Sequence, residues 1–243
     1  VRMLLRLILT ASLLLLPSLA QAQSMSIDLG LQDGGSTAAR MIQIILLMTT
    51  LSLAPSILMM VTSFMRLVIV LSFLRTALRT QQTPPNQIII SLALFLTLFI
   101  MTPVFEKSYN DGILPLINEK ITEEEALKKA AQPFRLFMLQ HVREQDLELF
   151  LNVAPPNTVI EEPSVTPYQI LIPAFMISEL RRAFEIGFLL FVPFLIIDML
   201  VASVLMAMGM MMLPPVMISL PFKLIFFVLV DGWYMVAGSL VRS

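Results

Sequence analysis

Very few residues in this chain are of a kind that reacts. There is no cysteine, so disulfides and thiolate metal sites are excluded. His141 is the single histidine, which rules out a histidine-rich metal site and leaves a serine–histidine triad little to draw on. No glycine-rich phosphate loop, Walker pattern, G-x-S-x-G elbow or dinucleotide fingerprint occurs. The reading is of a protein that is not an enzyme and holds no cofactor and no metal. Without a nucleotide site, energy for any transport must come from partners or from the membrane potential. His141 lies in an acidic helical stretch and reads as a solvated side chain.

Two other groups of residues carry physical chemistry of a different sort. Met206 to Met217 holds six of the eighteen methionines, among them Met210, Met211 and Met212 directly after Gly209. Methionine is unbranched and polarizable, so it fills irregular gaps and adapts to many shapes. A collar of such side chains can close a pore by dewetting. The plainer alternative is core filler or a lipid-facing surface, and three adjacent positions cannot share one helix face. The second group is charged. Glu179, Arg181, Arg182 and Glu185 share one helical stretch, with Glu179 and Arg182 spaced i,i+3. Asp198 and Lys223 sit on neighbouring apolar segments that a hairpin would bring together. Pairing within or between subunits removes the need to solvate either charge; a proton relay is the functional alternative.

These residues must be positioned by an unusually apolar chain. Of 243 residues, 57% are hydrophobic and 14% charged, with a mean hydropathy of +0.85. Soluble domains are roughly a quarter charged, so lipid or partner subunits must cover part of the surface. A net charge of −1 gives no field suited to nucleic acid. Residues 1–22 read as a signal peptide: Arg2 and Arg6, an apolar Leu7–Leu16, then Ala20-Gln21-Ala22 with cleavage after Ala22. Residues 23–40 read as a flexible tail.

Hydropathy predicts four spans, near 42–61, 87–105, 185–208 and 216–237. They group into an N-terminal hydrophobic hairpin, 41–105, and a C-terminal one, 166–243, which carries the methionine-rich loop. Between them, residues 106–165 hold eleven Asp/Glu and six Lys/Arg and read as a soluble helical subdomain, periplasmic in a diderm cell. Thr122 followed by Glu123-Glu124-Glu125 marks a helix start there. The run Leu67–Leu74 is too short to span alone, and the loop holding Arg66, Arg75 and Arg79 falls inside by the positive-inside rule. Pro55, Pro173 and Pro193 are expected to break the first and third apolar regions. Broken helices survive in a membrane only when packed in protein or lining water. The fold class expected is an all-α membrane protein of broken helical hairpins packed into a helical oligomeric assembly.

Longer segments carry a resemblance. PAFMISELRRAFEIGF (Pro173–Phe188) and PFLIIDMLVASVLMAMGMMM (Pro193–Met212) resemble hallmark stretches of the FliP family and its injectisome relatives. TSFMRLVIVL (Thr62–Leu71) with RTALRTQQTPPN (Arg75–Asn86), and PFKLIFFVLVDGW (Pro221–Trp233), are similar to its two ends. The resemblance implies a pentameric subunit of a type III protein-export gate, assembled with FliQ and FliR inside the basal-body membrane ring of the bacterial inner membrane, through which unfolded flagellar subunits pass. It implies a methionine gasket at Met210, Met211 and Met212, and intersubunit polar contacts at Asp198, Lys223, Glu179 and Arg182. The signal peptide and the acidic insert favour the flagellar branch over the injectisome branch. A stand-alone secondary transporter or ion channel and a poreless scaffold are the competing readings; no inverted repeat supports the former.

Overall fold

The structure is a computed structural model describing residues 37–80, 83–154, 166–210 and 213–242. The expected signal peptide, its cleavage point at Ala22 and residues 23–36 of the tail fall outside the described residues, as do Met211 and Met212. The described chain is all-helical, and no strand occurs among its residues.

Helix α1 (Thr37–Met60) passes through Pro55 without interruption. Its side chains from Met41 to Leu53 are apolar almost all round and exposed, the pattern of a helix that needs lipid or another chain against it. Helix α2 (Phe64–Leu78) is the opposite case. Leu67, Val70, Leu71 and Leu74 form a stripe with almost no exposure. Around it pack Ile89 and Ala93 of α3 (Asn86–Ser108), Ala183 and Phe194 of α7 (Tyr168–Ala207), Phe227 of α8 (Pro215–Leu229) and Leu240 of α9 (Gly232–Arg242). The run too short to span is the central strut of the core.

Past α3 the helix widens into a π turn (Tyr109–Ile113) and closes with α4 (Leu114–Ile117). Helix α5 (Glu123–His141) opens as its sequence predicts, with the Thr122 hydroxyl accepting the Glu125 N–H. Its Phe137 and Met138, with Phe134 beside them, meet Met101, Leu171 and Phe175 in a second core cluster. Helix α6 (Glu144–Val153) is tied to α7 where the Arg143 N–H donates to Ser178 Oγ at 3.0 Å and Ser178 Oγ donates to Asp146 at 2.7 Å.

The proline expectation is overturned. Helix α7 runs unbroken for 40 residues through Pro173 and Pro193, about 60 Å at the usual rise. A proline forfeits one backbone bond, whereas a break in apolar surroundings strands several polar groups at several kcal/mol each. The break falls in the last apolar segment instead. There α8 and α9 meet at 63°, with Asp231 in the left-handed region (φ 50). Among the described residues, three helices are long and apolar enough to cross a membrane, or four if the bent α8–α9 pair counts as one.

The reading of Arg66 as a loop residue is also corrected. Arg66 lies near the start of α2 and Arg79 just past its end, about 20 Å apart along the axis. Arg66 meets Glu179, Phe73 meets Phe184, and Arg79 meets Asp198. Numbers rise together on both helices, so α2 and α7 run parallel, side by side. Arg66 therefore belongs to the helical core and not to a polar loop.

One close approach sets the bend between α3 and α5. A Cβ placed on Gly112 would fall 2.6 Å from the Ala130 Cβ and 2.7 Å from its backbone nitrogen. The same contact lets Ser108 Oγ donate to the Ala130 carbonyl at 2.8 Å. Gly112→Ala is expected to destabilise the chain by about 1–3 kcal/mol, the usual range for overpacking. Thermal unfolding in detergent checks it, and an unchanged Tm would refute the constraint.

Candidate functional site: the methionine-tipped hairpin

The long helix α7 ends by a defined device. Gly209 takes φ +75, its N–H donates to the Met206 carbonyl at 3.1 Å, and the Met210 N–H donates to the Leu205 carbonyl at 3.0 Å. This is the paired bonding that satisfies orphan carbonyls at a helix end around a left-handed glycine. The chain turns and re-enters helix at Pro215, whose missing N–H is no loss in the first turn. Methionines crowd the tip. Met206, Met208, Met210 and Met217 are all exposed, Met210 at 43%.

Below the tip the hairpin is tied together and tied to α2. Lys223 on α8 is 1% exposed. Its ammonium lies 2.7 Å from Asp198 Oδ2 on α7 and donates to the Ala77 carbonyl on α2 at 3.1 Å. Ser219 Oγ donates to the other Asp198 oxygen at 2.5 Å. The Arg79 guanidinium approaches Asp198 to 3.6 Å. One carboxylate thus collects a lysine, a hydroxyl and an arginine from two other helices. Phe194 packs against Phe226 and Phe227 alongside.

A second ion pair fastens the far end of α2. Arg66 and Glu179 are each 1% exposed, with Nε and Oε2 3.3 Å apart. Arg182 adds a longer contact to Glu179 at 3.9 Å. The pair is close without being aligned: Arg66 Nη1 and both Glu179 oxygens have no hydrogen-bond partner among the described residues. Nearby, the His141 ring lies 4.3 Å from that of Phe137 and its Nδ1–H donates to the Phe137 carbonyl at 2.8 Å.

Of the residues singled out from sequence, Asp198 and Lys223 meet inside one chain. Glu179 and Arg182 are neighbours, but the principal partner of Glu179 is Arg66. His141 is half-buried and only partly solvated; burial, aided by Arg66 and Arg182, lowers its pKa from the usual imidazole value. Arg66 was missed as a partner because it reads as one of three loop cations. A signal for it existed: positions 63, 66, 67, 70, 71, 74, 77 and 78 form the buried stripe of α2. A cation on such a stripe demands a buried counter-charge.

Glu179→Ala is expected to cost about 3–5 kcal/mol, because it leaves Arg66 buried and unpaired. The double change Arg66→Met with Glu179→Leu should recover most of that loss. Thermal unfolding of the three proteins checks the pair; equal losses in single and double variants would contradict it. His141 gives a pH dependence. Its folded pKa lies below its unfolded one, so the unfolded chain binds the proton first. Stability is expected to fall as pH drops from about 6.5 toward the lowered value. His141→Phe should flatten Tm against pH in that window.

A profile of the FliP family matches residues 47–240 of the chain. The "Flagellar biosynthetic protein FliP" of Caulobacter vibrioides is 56% identical over 232 residues, covering 94% of this chain and 85% of that protein. The protein of that name from Bacillus subtilis is 55% identical over 205 residues, 83% of this chain and 91% of its own length. That of Aquifex aeolicus is 51% identical over 214 residues, 88% and 90%. The matched region contains α2, α7 and α8 whole, and with them both ion pairs and the methionine tip. The chain belongs to the FliP family.

Proposed function

We propose that the chain is a core subunit of the flagellar type III protein-export gate. Several copies, five by the family resemblance, join FliQ and FliR to build a passage for unfolded flagellar subunits. On this reading residues 1–22 are a signal peptide, 41–105 and 166–243 are the two hydrophobic hairpins, and 106–165 is a periplasmic subdomain. The assembly sits in the inner membrane at the flagellar basal body. Family membership and the names of the relatives support the flagellar setting.

The observation that carries the gate reading is the α7–α8 tip. Its methionines are exposed at the end of a hairpin whose base is held by a buried lysine. Exposed apolar surface elsewhere supports partners: Phe95 and Phe99 on α3, and Phe184, Phe188 and Leu189 on α7, are all more than half exposed. Met210, Met211 and Met212, brought to a shared axis by several copies, would form a dry, deformable collar. Such a collar excludes water and ions by dewetting and yields around a passing polypeptide because thioether side chains repack at little cost. The outer side of the Asp198–Lys223–Arg79 cluster would meet the neighbouring copy, since Arg79 and Asp198 keep 43% and 20% side-chain exposure.

The test replaces the three methionines together, Met210→Ala, Met211→Ala and Met212→Ala, in the assembled complex. Ion conductance across a planar bilayer is expected to rise while native mass spectrometry shows the same oligomer. Unchanged conductance with assembly intact would overturn the gasket. A monomer that transports in liposomes would overturn the whole reading in favour of a stand-alone transporter.

A further inference from the structure

From Val204 to Ile218 no side chain carries nitrogen or oxygen, and the thioether sulfurs are the only side-chain heteroatoms. The chain has no cysteine, so no thiol within it competes for an oxidant. The nearest charged groups, Asp198 and Lys223, are engaged with each other. Met206 lies eight residues past Asp198, about 12 Å along the helix.

The sulfurs at the tip are also within reach of solvent. Met206, Met208 and Met217 are 60–63% exposed and Met210 is 43% exposed. A Cβ built on Gly209 would meet no described atom within 4 Å beyond its chain neighbours, so the turn that carries them is open. Met101 and Met138 are the opposite case, fully buried in the second core cluster. Met199 is exposed as well, but it stands on the side of α7 among exposed Leu195, Ile196 and Leu200, a face that asks for an apolar cover.

We propose that Met206, Met208, Met210 and Met217 form a site of reversible oxidation to methionine sulfoxide, and that hydrogen peroxide acting there unseals the tip. A sulfur lone pair attacks one peroxide oxygen, and the S–O bond forms as the O–O bond breaks. The second oxygen leaves as hydroxide, which takes the proton from the new S–OH and departs as water. Each sulfur is oxidised by two electrons and one peroxide is reduced. Thiol-dependent methionine sulfoxide reductases reverse the step, two thiols becoming a disulfide while the oxygen leaves as water.

The consequence follows from what closes the tip. Dewetting needs an apolar wall. A sulfoxide is polar and its oxygen accepts hydrogen bonds from water, so each one formed draws water into the constriction. Leucine would make a dry wall without this response; methionine adds it to softness. Unsealing rests on the gasket reading; the places where sulfoxide forms do not.

The assembled complex in a planar bilayer is treated with hydrogen peroxide, conductance is followed, and sulfoxides are located by peptide mass spectrometry. Sulfoxide is expected at the four tip methionines roughly tenfold sooner than at Met101 and Met138. Conductance is expected to rise in step, and to return when methionine sulfoxide reductases A and B are added with dithiothreitol. A variant carrying Met206→Leu, Met208→Leu, Met210→Leu, Met211→Leu, Met212→Leu and Met217→Leu together, shown by native mass spectrometry to form the same oligomer, should lose the peroxide-induced rise over its own resting level. Where that variant does not assemble, the map of sulfoxides and the reductase reversal in the parent decide. Tip sulfoxides that form no faster than those at Met101 and Met138 overturn the proposal and leave the gasket untouched. So does a peroxide response that survives in the leucine variant, or one that the reductases fail to reverse. Tip sulfoxides without added conductance, in a complex that the three alanine changes do make leaky, overturn the switch alone. If neither treatment alters conductance, the gasket has failed and the switch with it.

Discussion

Two ion pairs of low exposure, one at each end of α2, hold the parallel helices α2 and α7 in register. Arg66 reaches Glu179 at one end; Arg79 and the Ala77 carbonyl reach the Asp198–Lys223 pair at the other. Between them the stripe Leu67–Val70–Leu71–Leu74 supplies apolar contact, but such contact alone is weakly specific. Neighbouring apolar helices can slide by a turn with little change in buried area. In lipid there is not even a hydrophobic drive favouring one pairing of helices over another. A charge that has lost its partner in such surroundings costs several kcal/mol, so the pairs select one register among many of similar greasiness. Setting α7 against α2 sets where α7 ends, and with it the position of the methionine tip.

The register could be read only in part from the amino-acid order. Asp198 and Lys223 are 25 positions apart across Pro214-Pro215, so a hairpin was enough to predict their meeting. Arg66 and Glu179 are 113 positions apart, and no local periodicity links them. The buried stripe of α2 shows that Arg66 needs a carboxylate without saying which. The Thr122 cap and the helical spacing of Phe134 and Met138 were legible because capping and amphipathicity are local. What local rules could not reach, an expectation of a shared axis and of partners, came only from the family resemblance.

The prolines show where a local rule gives the wrong sign. In water a helix interrupted by proline can end, because solvent takes up the freed carbonyls. In an apolar helix such as α7, Pro173 and Pro193 each remove one donor, but ending the helix would strand several groups at once. The helix continues, and the break moves to Asp231, where the chain takes a left-handed residue next to Gly232. The same accounting explains Gly209. A left-handed glycine whose own N–H and that of Met210 bond back to α7 carbonyls ends the helix with fewer unsatisfied groups.

Stiff base and soft tip are therefore set by different physics in one hairpin. The base is directional: Lys223 and Ser219 both donate hydrogen bonds to a single carboxylate, each with a required geometry, and Arg79 adds an ion pair at 3.6 Å. The tip is non-directional, because thioether contacts depend on proximity and hardly at all on angle. A closure that must admit chains of many sequences cannot rely on directional bonds at the constriction, since each passing side chain would have to break and re-form them. It also cannot have a yielding base, or the collar would drift off axis and leak. Placing the two ion pairs about four turns apart, one at each end of α2, and the methionines beyond them, keeps the two demands apart along the helix axis. On the proposed reading, that separation lets the opening deform while the frame that carries it stays in register.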